Sequence, residues 1–331
     1  MRIEAAIQNK AQNLGFAAAG FARVGPSRTF ERFQDWITRG FAGQMTYLSK
    51  NAALRADPLN VAAEAQSVIV VVARYLSGAN SSLFSNYVQG RDYHDIIRAK
   101  LKVLEQFIRQ RVKTPLTARI CVDSAPVLER EWAERAGVGW IGRQGSIIHP
   151  EFGACLFLGE LFVNIELESS LPLKNQCADC RLCLNACPTG AIQSNGLLDA
   201  RRCISYLTVE HKGMIPHELW PLIGSSLFGC DRCTTVCPWN QHGAETVMPE
   251  CYESHQSLPS AEECLAMSEQ DFDRRFSVTS VYRAGLERLQ RNAVIVLANK
   301  RNKSCLKMLE MSLKSPYSLV RKHAAIAVRS A

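Results

Sequence analysis

Hydrophobic positions along this 331-residue chain change their rhythm twice. In the first half, helical and strand-like periods alternate. Ile3–Leu14 and Phe30–Gly40 carry apolar residues at helical spacing, the second closed by a glycine, and predict helices. Ser67–Leu76 (SVIVVVARYL) is rich in β-branched residues and predicts a buried strand. His94–Val112 returns to helical spacing at Ile96, Ile97, Leu101, Leu104 and Ile108. Ala118–Val122 predicts a short strand, and Pro126–Arg135 a helix after it. Ile147–His149 and Ala154–Val163 predict an antiparallel pair joined at Pro150–Gly153. From about residue 168 the pattern fades into polar, turn-rich sequence, with one helix expected over Asp199–Tyr206. Helical spacing resumes in Arg288–Leu297, Cys305–Leu313 and Leu319–Val328, broken at Asn299–Asn302 and Ser315–Pro316.

Strands and helices that mix without a strict βαβ rhythm predict an α+β fold rather than a doubly wound one. Three units are expected. Residues 1–167 form an α/β layer domain and 168–245 a small domain short of large apolar side chains. Residues 246–331 form a helical tail resembling one or two HEAT-type units. No apolar run is long enough for a membrane span. Leu14–Ala22 is short, glycine-broken and preceded by Glu4 and Lys10, so it predicts a helix followed by a strand rather than a signal-peptide core.

Charge separates the tail from the rest. The chain carries a net charge of +8, and Val281–Ala331 alone carries +9, with eleven Lys/Arg against Glu287 and Glu310. A basic segment on a near-neutral body is the footprint of a polyanion partner or a solvated helix face.

Thirteen cysteines are the strongest chemical signal. Cys177-x2-Cys180-x2-Cys183-x3-Cys187-Pro188 has the bacterial ferredoxin spacing, in which the fourth cysteine ligates the other cluster. Cys230-x2-Cys233-x3-Cys237-Pro238 is a second run that lacks its first member, and Cys203 is the natural replacement. The crossover then assigns Cys177, Cys180, Cys183 and Cys237 to one [4Fe–4S] cluster and Cys187, Cys203, Cys230 and Cys233 to another. Zinc prefers paired Cys-x2-Cys knuckles, and a third cysteine at the same step followed by Cys-Pro does not suit it. Cys121, Cys155, Cys251, Cys264 and Cys305 are expected as small buried hydrophobes. Reduced thiols and clusters place the protein in the cytoplasm.

Two clusters with half the chain ahead of them imply a second redox centre. No GxGxxG loop or P-loop is present, so no nucleotide cofactor is indicated. Asp92-Tyr93-His94 opens like the DxHxxG motif of cobalamin enzymes, but Ile97 stands where its glycine belongs.

Several stretches together resemble the epoxyqueuosine reductase family. They are Gly90-Arg91-Asp92-Tyr93-His94, Val122-Asp123-Ser124-Ala125-Pro126-Val127-Leu128-Glu129-Arg130, Gly139-Trp140-Ile141-Gly142, Phe157-Leu158-Gly159-Glu160-Leu161, Arg202-Cys203-Ile204-Ser205-Tyr206 and both cysteine runs. The resemblance implies a cobalamin-binding domain, a double-cluster ferredoxin-like domain and a HEAT-like tail that grips tRNA. It implies reduction of epoxyqueuosine to queuosine at the wobble position of tRNA anticodons, by cob(I)alamin generated through two [4Fe–4S] clusters. Asp123 would be the proton donor, with its pKa raised by burial; from the residues alone it reads as the N-cap of a helix starting near Pro126. Arg55, Asp123, Ser205, Cys230 and Asp231 would approach the cobalamin, and Tyr93, His94, His211 and Lys212 the substrate. A low-potential donor of ferredoxin or flavodoxin type and a monomeric state are expected. Arg143-Gln144 replaces the family's usual Lys-Asn, and the tail is shorter than in longer members, so fewer phosphate contacts are expected. Two other readings stand beside this one: a reductive dehalogenase-like enzyme, and a ferredoxin-type carrier without catalytic activity.

Overall fold

The computed structural model describes residues 2–75, 83–242, 248, 250 and 257–330. Its first part is built on one antiparallel sheet. The sheet contains β1 (Ala18–Arg23), β2 (Ser67–Arg74), β3 (Ala118–Cys121) and β6 (Leu156–Val163), in the order β1-β2-β6-β3. A separate hairpin pairs β4 (Trp140–Ile141) with β5 (Ile147–Ile148).

Every residue of β2 is buried. Ile69, Val71 and Ala73 face one apolar cluster, with helices Ile3–Asn13 and Tyr93–Arg109. Val68, Val70 and Val72 face another, with Trp132 and Ala133 of helix Glu129–Arg135. Alternation with period two, apolar on both sides, is what a strand covered on both faces requires. Two glycines let the helices come close. A Cβ at Gly159 would lie 2.6 Å from the Ile97 side chain, and one at Gly20 only 1.9 Å from the Ala136 carbonyl oxygen.

The strand Leu156–Val163 corrects one expectation. Its main partners are β2 and β3, not the segment Ile147–His149, which pairs with Trp140–Ile141. Only the single bridge between His149 and Gly153 survives of the expected hairpin. A strand apolar on both faces satisfies more of its surface in the sheet centre than at a hairpin edge. The predicted helix Pro126–Arg135 begins only at Glu129, so Asp123 is not its cap.

The cysteine-rich segment is not core-poor throughout. Ile204, Leu207, Ile215, Leu219, Trp220, Leu227 and Phe228 share one apolar cluster with tail residues Leu289, Val294, Leu309 and Val320. The tail comprises helices Ala261–Ala266, Glu269–Phe276, Leu286–Lys300, Lys303–Ser312 and Ser318–Arg329. Capping boxes Ser260/Glu263 and Ser268/Asp271 open the first two. Arg291 on Leu286–Lys300 is fully buried. It donates to the carbonyls of Leu207 (2.8 Å), His211 (2.6 Å) and Gly213 (3.1 Å). Asn292 donates to Thr208 and Leu227. These bonds tie the tail to the segment that follows Cys203. Among the described residues no helix is long and apolar enough to cross a membrane.

Candidate active site

The eight spaced cysteines come together from short pieces of chain. Cys183 lies in helix Leu182–Ala186 with Cys187 closing it, and Cys233 lies in helix Arg232–Thr235. The expected helix Asp199–Tyr206 is broken: Cys203 is extended between a 3-10 turn, Ala200–Arg202, and helix Ile204–Val209. The break lets the thiol leave the helix surface. Cys237 stands within charge range of Cys177, Cys183 and Cys180. Cys233 stands within range of Cys203, Cys230 and Cys187, and more weakly of Cys183. All are free thiols. Cys121, Cys155, Cys264 and Cys305 are buried, as expected; Cys251 lies outside the described residues.

Arg143 takes a defined place beside the first run, donating to the Ala178 carbonyl at 2.5 Å. Trp140 is fully buried edge-on to Trp239 and packs with Cys237 and Cys177.

A second constellation surrounds Asp123. Its carboxyl meets His94 Nε2 at 3.0 Å, and His94 Nδ1 meets Asp92 at 2.6 Å. Arg283, from the tail, donates to the other oxygen of Asp92 at 2.9 Å. Asp92 also caps helix Tyr93–Arg109 by accepting the His94 N–H. The Tyr93 ring stacks on His94 at 4.1 Å and on Phe157 at 4.2 Å, fixing the imidazole plane. The Asp123 side chain keeps 60% exposure although protein lies close around it. That combination describes the floor of an open cleft.

The charges in this chain settle where its proton rests. Burial disfavours the ionised form of Asp123, but the His94 hydrogen bond and charge outweigh it and hold the carboxyl below its ordinary value. Burial opposes His94 ionisation too, yet its two carboxylate partners push the imidazole up to about 9. Asp92, desolvated but bonded to His94 and Arg283, falls to about 2. At neutral pH the pair is imidazolium and carboxylate. The expectation that burial raises Asp123 is therefore corrected: a cation at hydrogen-bond distance outweighs the desolvation.

The other residues that the resemblance names each have their own surroundings. Arg55 is buried, bonds the Asn51 carbonyl at 3.3 Å, and lies within charge range of Tyr47 and Glu129. Tyr47 in turn lies within range of Glu210, Asp123 and Arg55, and burial pushes its hydroxyl up to about 12. Ser205 and Cys230 are half-buried. The Asp231 carboxylate is taken by Ser85 and by the Asn86 N–H at 2.6 Å, so it fastens the Ser85–Asn86 turn to the cluster segment. His211 Nε2 bonds the Met214 carbonyl at 2.9 Å, and its buried Nδ1 meets no partner among the described residues. Lys212 is exposed and lines a mixed-charge cavity of about 540 Å³ with Arg288, Tyr282 and Tyr317.

Residues 176–240 match the 4Fe-4S double cluster binding domain, and residues 55–124 the family described as epoxyqueuosine reductase QueG. An epoxyqueuosine reductase of Pseudomonas aeruginosa is 38% identical over 99% of this chain and 94% of its own length. The chain belongs to the epoxyqueuosine reductase family. It is thus a tRNA-modifying oxidoreductase with an iron–sulfur domain. The epoxyqueuosine reductase of Escherichia coli K12 is 38% identical over 95% of this chain and 86% of its own. A crystal structure of an epoxyqueuosine reductase with an epoxyqueuosine-modified tRNA-Tyr stem loop superposes with a TM-score of 0.89. It is 31% identical, over 98% of this chain and 89% of that one. The Streptococcus thermophilus reductase superposes at 0.86 with 26% identity, over 99% and 90%.

Around Asp123 and His94 stand residues that sequence reasoning did not assign: Tyr47, Asp92, Glu129, Glu160, Glu210 and Arg283. Asp92, Glu129 and Glu160 stand inside the family stretches, which was a signal. Nothing local marks Arg283, which reaches Asp92 from 191 positions away.

Proposed function

We propose that this reductase removes the epoxide oxygen of epoxyqueuosine in the wobble position of tRNA, with Asp123 delivering a proton and His94 resupplying it. The observation that carries the proposal is the unbroken chain Arg283–Asp92–His94–Asp123, which ends on a carboxyl exposed in a cleft. Turning an epoxide into an alkene breaks two C–O bonds and releases water, so it consumes two electrons and two protons. The electrons suit two [4Fe–4S] clusters on the sets Cys177, Cys180, Cys183, Cys237 and Cys187, Cys203, Cys230, Cys233.

The cleft also suits cobalamin. The exposed Asp123 carboxyl and the guanidinium of Arg55, which among the described residues bonds only the Asn51 carbonyl, are the groups that would meet a large polar ligand. Arg55, Ser205 and the Cys230 segment would hold it. When bound, cobalamin would supply strongly reducing, nucleophilic metal chemistry to this site. The chain's own contribution is protonation and exclusion of water. A proton moves from His94 Nε2 to Asp123 Oδ2 and on to the departing oxygen, while Asp92 and Arg283 keep the imidazole oriented. Tyr93, His94, His211 and Lys212 would border the modified base. The helical tail, read as HEAT-type, would bring its +9 charge to the tRNA backbone. A monomeric, cytoplasmic enzyme served by a ferredoxin- or flavodoxin-type donor completes the reading.

The test uses reduced, cobalamin-supplemented enzyme and epoxyqueuosine-tRNA. Asp123→Asn should abolish queuosine formation while iron content and tRNA binding stay at wild-type levels. Full turnover in that variant refutes the assignment.

A further inference from the structure

Two carboxyl groups stand behind Asp123 and take no part in the relay. Glu160, on the central strand β6, is fully buried, and neither of its oxygens meets a donor from any ordinary hydrogen-bonding group among the described residues. The Glu129 carboxyl lies within charge and hydrogen-bonding range of it, across the face that Glu160 shares with Val70 and Cys121. Two carboxylates both accept, so the contact holds only when one is protonated. Glu129 in turn accepts the backbone N–H of Asp123 through Oε1. Asp123 has φ of 51°, in the left-handed region that a non-glycine residue occupies only where its surroundings hold it.

We propose that Glu160 and Glu129 form a proton-sharing carboxyl pair that latches the Asp123 turn, making both of them positioning residues for the reaction. Glu160 donates to Glu129, Glu129 holds the Asp123 N–H, and the turn then aims the Asp123 carboxyl at His94. The pair is surrounded on every packed element. Asp123 and Arg130 flank Glu129 on its own segment. Arg55 and Tyr93 reach it from two other helices. Cys121 of β3 and Val70 of β2 lie opposite Glu160, with Arg119 beside Cys121. Burial dominates: it pushes Glu129 up to about 8 against the pull of Arg130, and it raises Glu160 as well. Losing the shared proton at high pH sets two buried carboxylates against each other and opens the latch.

This inference rests on the reading of Asp123 as the proton-delivering residue, but the latch can be measured without turnover. Hydrogen exchange at the Asp123 amide is followed in full-length, iron-loaded enzyme. Glu160→Gln keeps a donor toward Glu129 and should keep the wild-type protection factor. Glu160→Leu should lower it on the order of tenfold and cut kcat on the order of 10²-fold, with KM for tRNA unchanged. In the wild type, protection should fall between pH 6 and 9, and in Glu160→Gln it should not. Should Glu160→Leu fail to load iron, the wild-type pH series and Glu160→Gln still decide. Unchanged protection in Glu160→Leu, a loss in Glu160→Gln as large as in Glu160→Leu, or flat wild-type protection overturns the latch. Lost protection with full turnover in Glu160→Leu leaves the latch standing and removes Asp123 as the proton carrier.

Discussion

Replacing His94 by glutamine takes one titrating group from between two carboxylates and leaves an amide that still donates to one of them. Folding raises the His94 pKa from 6.5 to about 9. The folded state therefore holds that proton more tightly than the unfolded chain does. Its contribution is complete below about 6.5, shrinks as pH rises, and is gone above about 9. Asp92 and Asp123 shift downward instead, so their share is present above the ordinary carboxylate value of 3.8 and is lost only as pH falls through their lowered values. The pair is thus at full strength between about pH 4 and 6.5. At about 1.4 kcal/mol per unit, the His94 shift is worth ~3 kcal/mol. Solvent at Asp123, whose side chain is 60% exposed, screens this to ~2 kcal/mol. Unfolding entropy for 331 residues is roughly 0.7 kcal/mol per degree, so the effect is about 3 °C in midpoint. The assay is the difference in thermal midpoint between wild type and His94→Gln, measured with matched cluster loading from pH 6 to 9.5. The difference should be about 3 °C at pH 6 and close to zero at 9.5. A difference that stays constant across this range refutes the ion-pair reasoning, because a merely steric defect does not titrate.

Two further substitutions probe the clusters and the tail. Cys203→Ser should lower iron from about eight to about four atoms per chain and remove one cluster's electron paramagnetic signal; retention of all the iron would show that Cys203 is not a ligand. Arg291→Met fills the same volume but strands the carbonyls of Leu207, His211 and Gly213, at about 1–3 kcal/mol each. Relief of a buried charge offsets part of this, so the thermal midpoint should drop by roughly 4 °C or more, and an unchanged midpoint would show that water replaces the guanidinium.

Much of the local structure was legible because it depends on near neighbours. The helices at Tyr93–Arg109 and Leu286–Lys300, and the strand Ser67–Arg74, follow from residue spacing alone. The iron–sulfur domain was legible for a different reason: ligand spacing within ten residues is dictated by the size of the cluster each run must wrap. The pairing of Leu156–Val163 was not legible. An apolar strand offers no local label for its partners, and the choice of β2 and β3 depends on what covers both faces.

The family stretches marked Asp123 as important, but its chemical state had to come from tertiary structure. Sequence reasoning argued from burial, which raises a carboxyl, since burial is the only term that a residue's own type can suggest. The opposing influence is His94, 29 positions away, joined by Arg130 and Arg283, and that imidazole is charged because Asp92 and Asp123 stand on either side of it. The proposed Glu129–Glu160 pair likewise joins a helix start to the centre of a sheet. The sequence by itself determined the redox chemistry and the secondary elements, since both are encoded at short range. Only the folded chain decided where the proton sits, because electrostatic energies depend on distances between groups that the sequence keeps far apart.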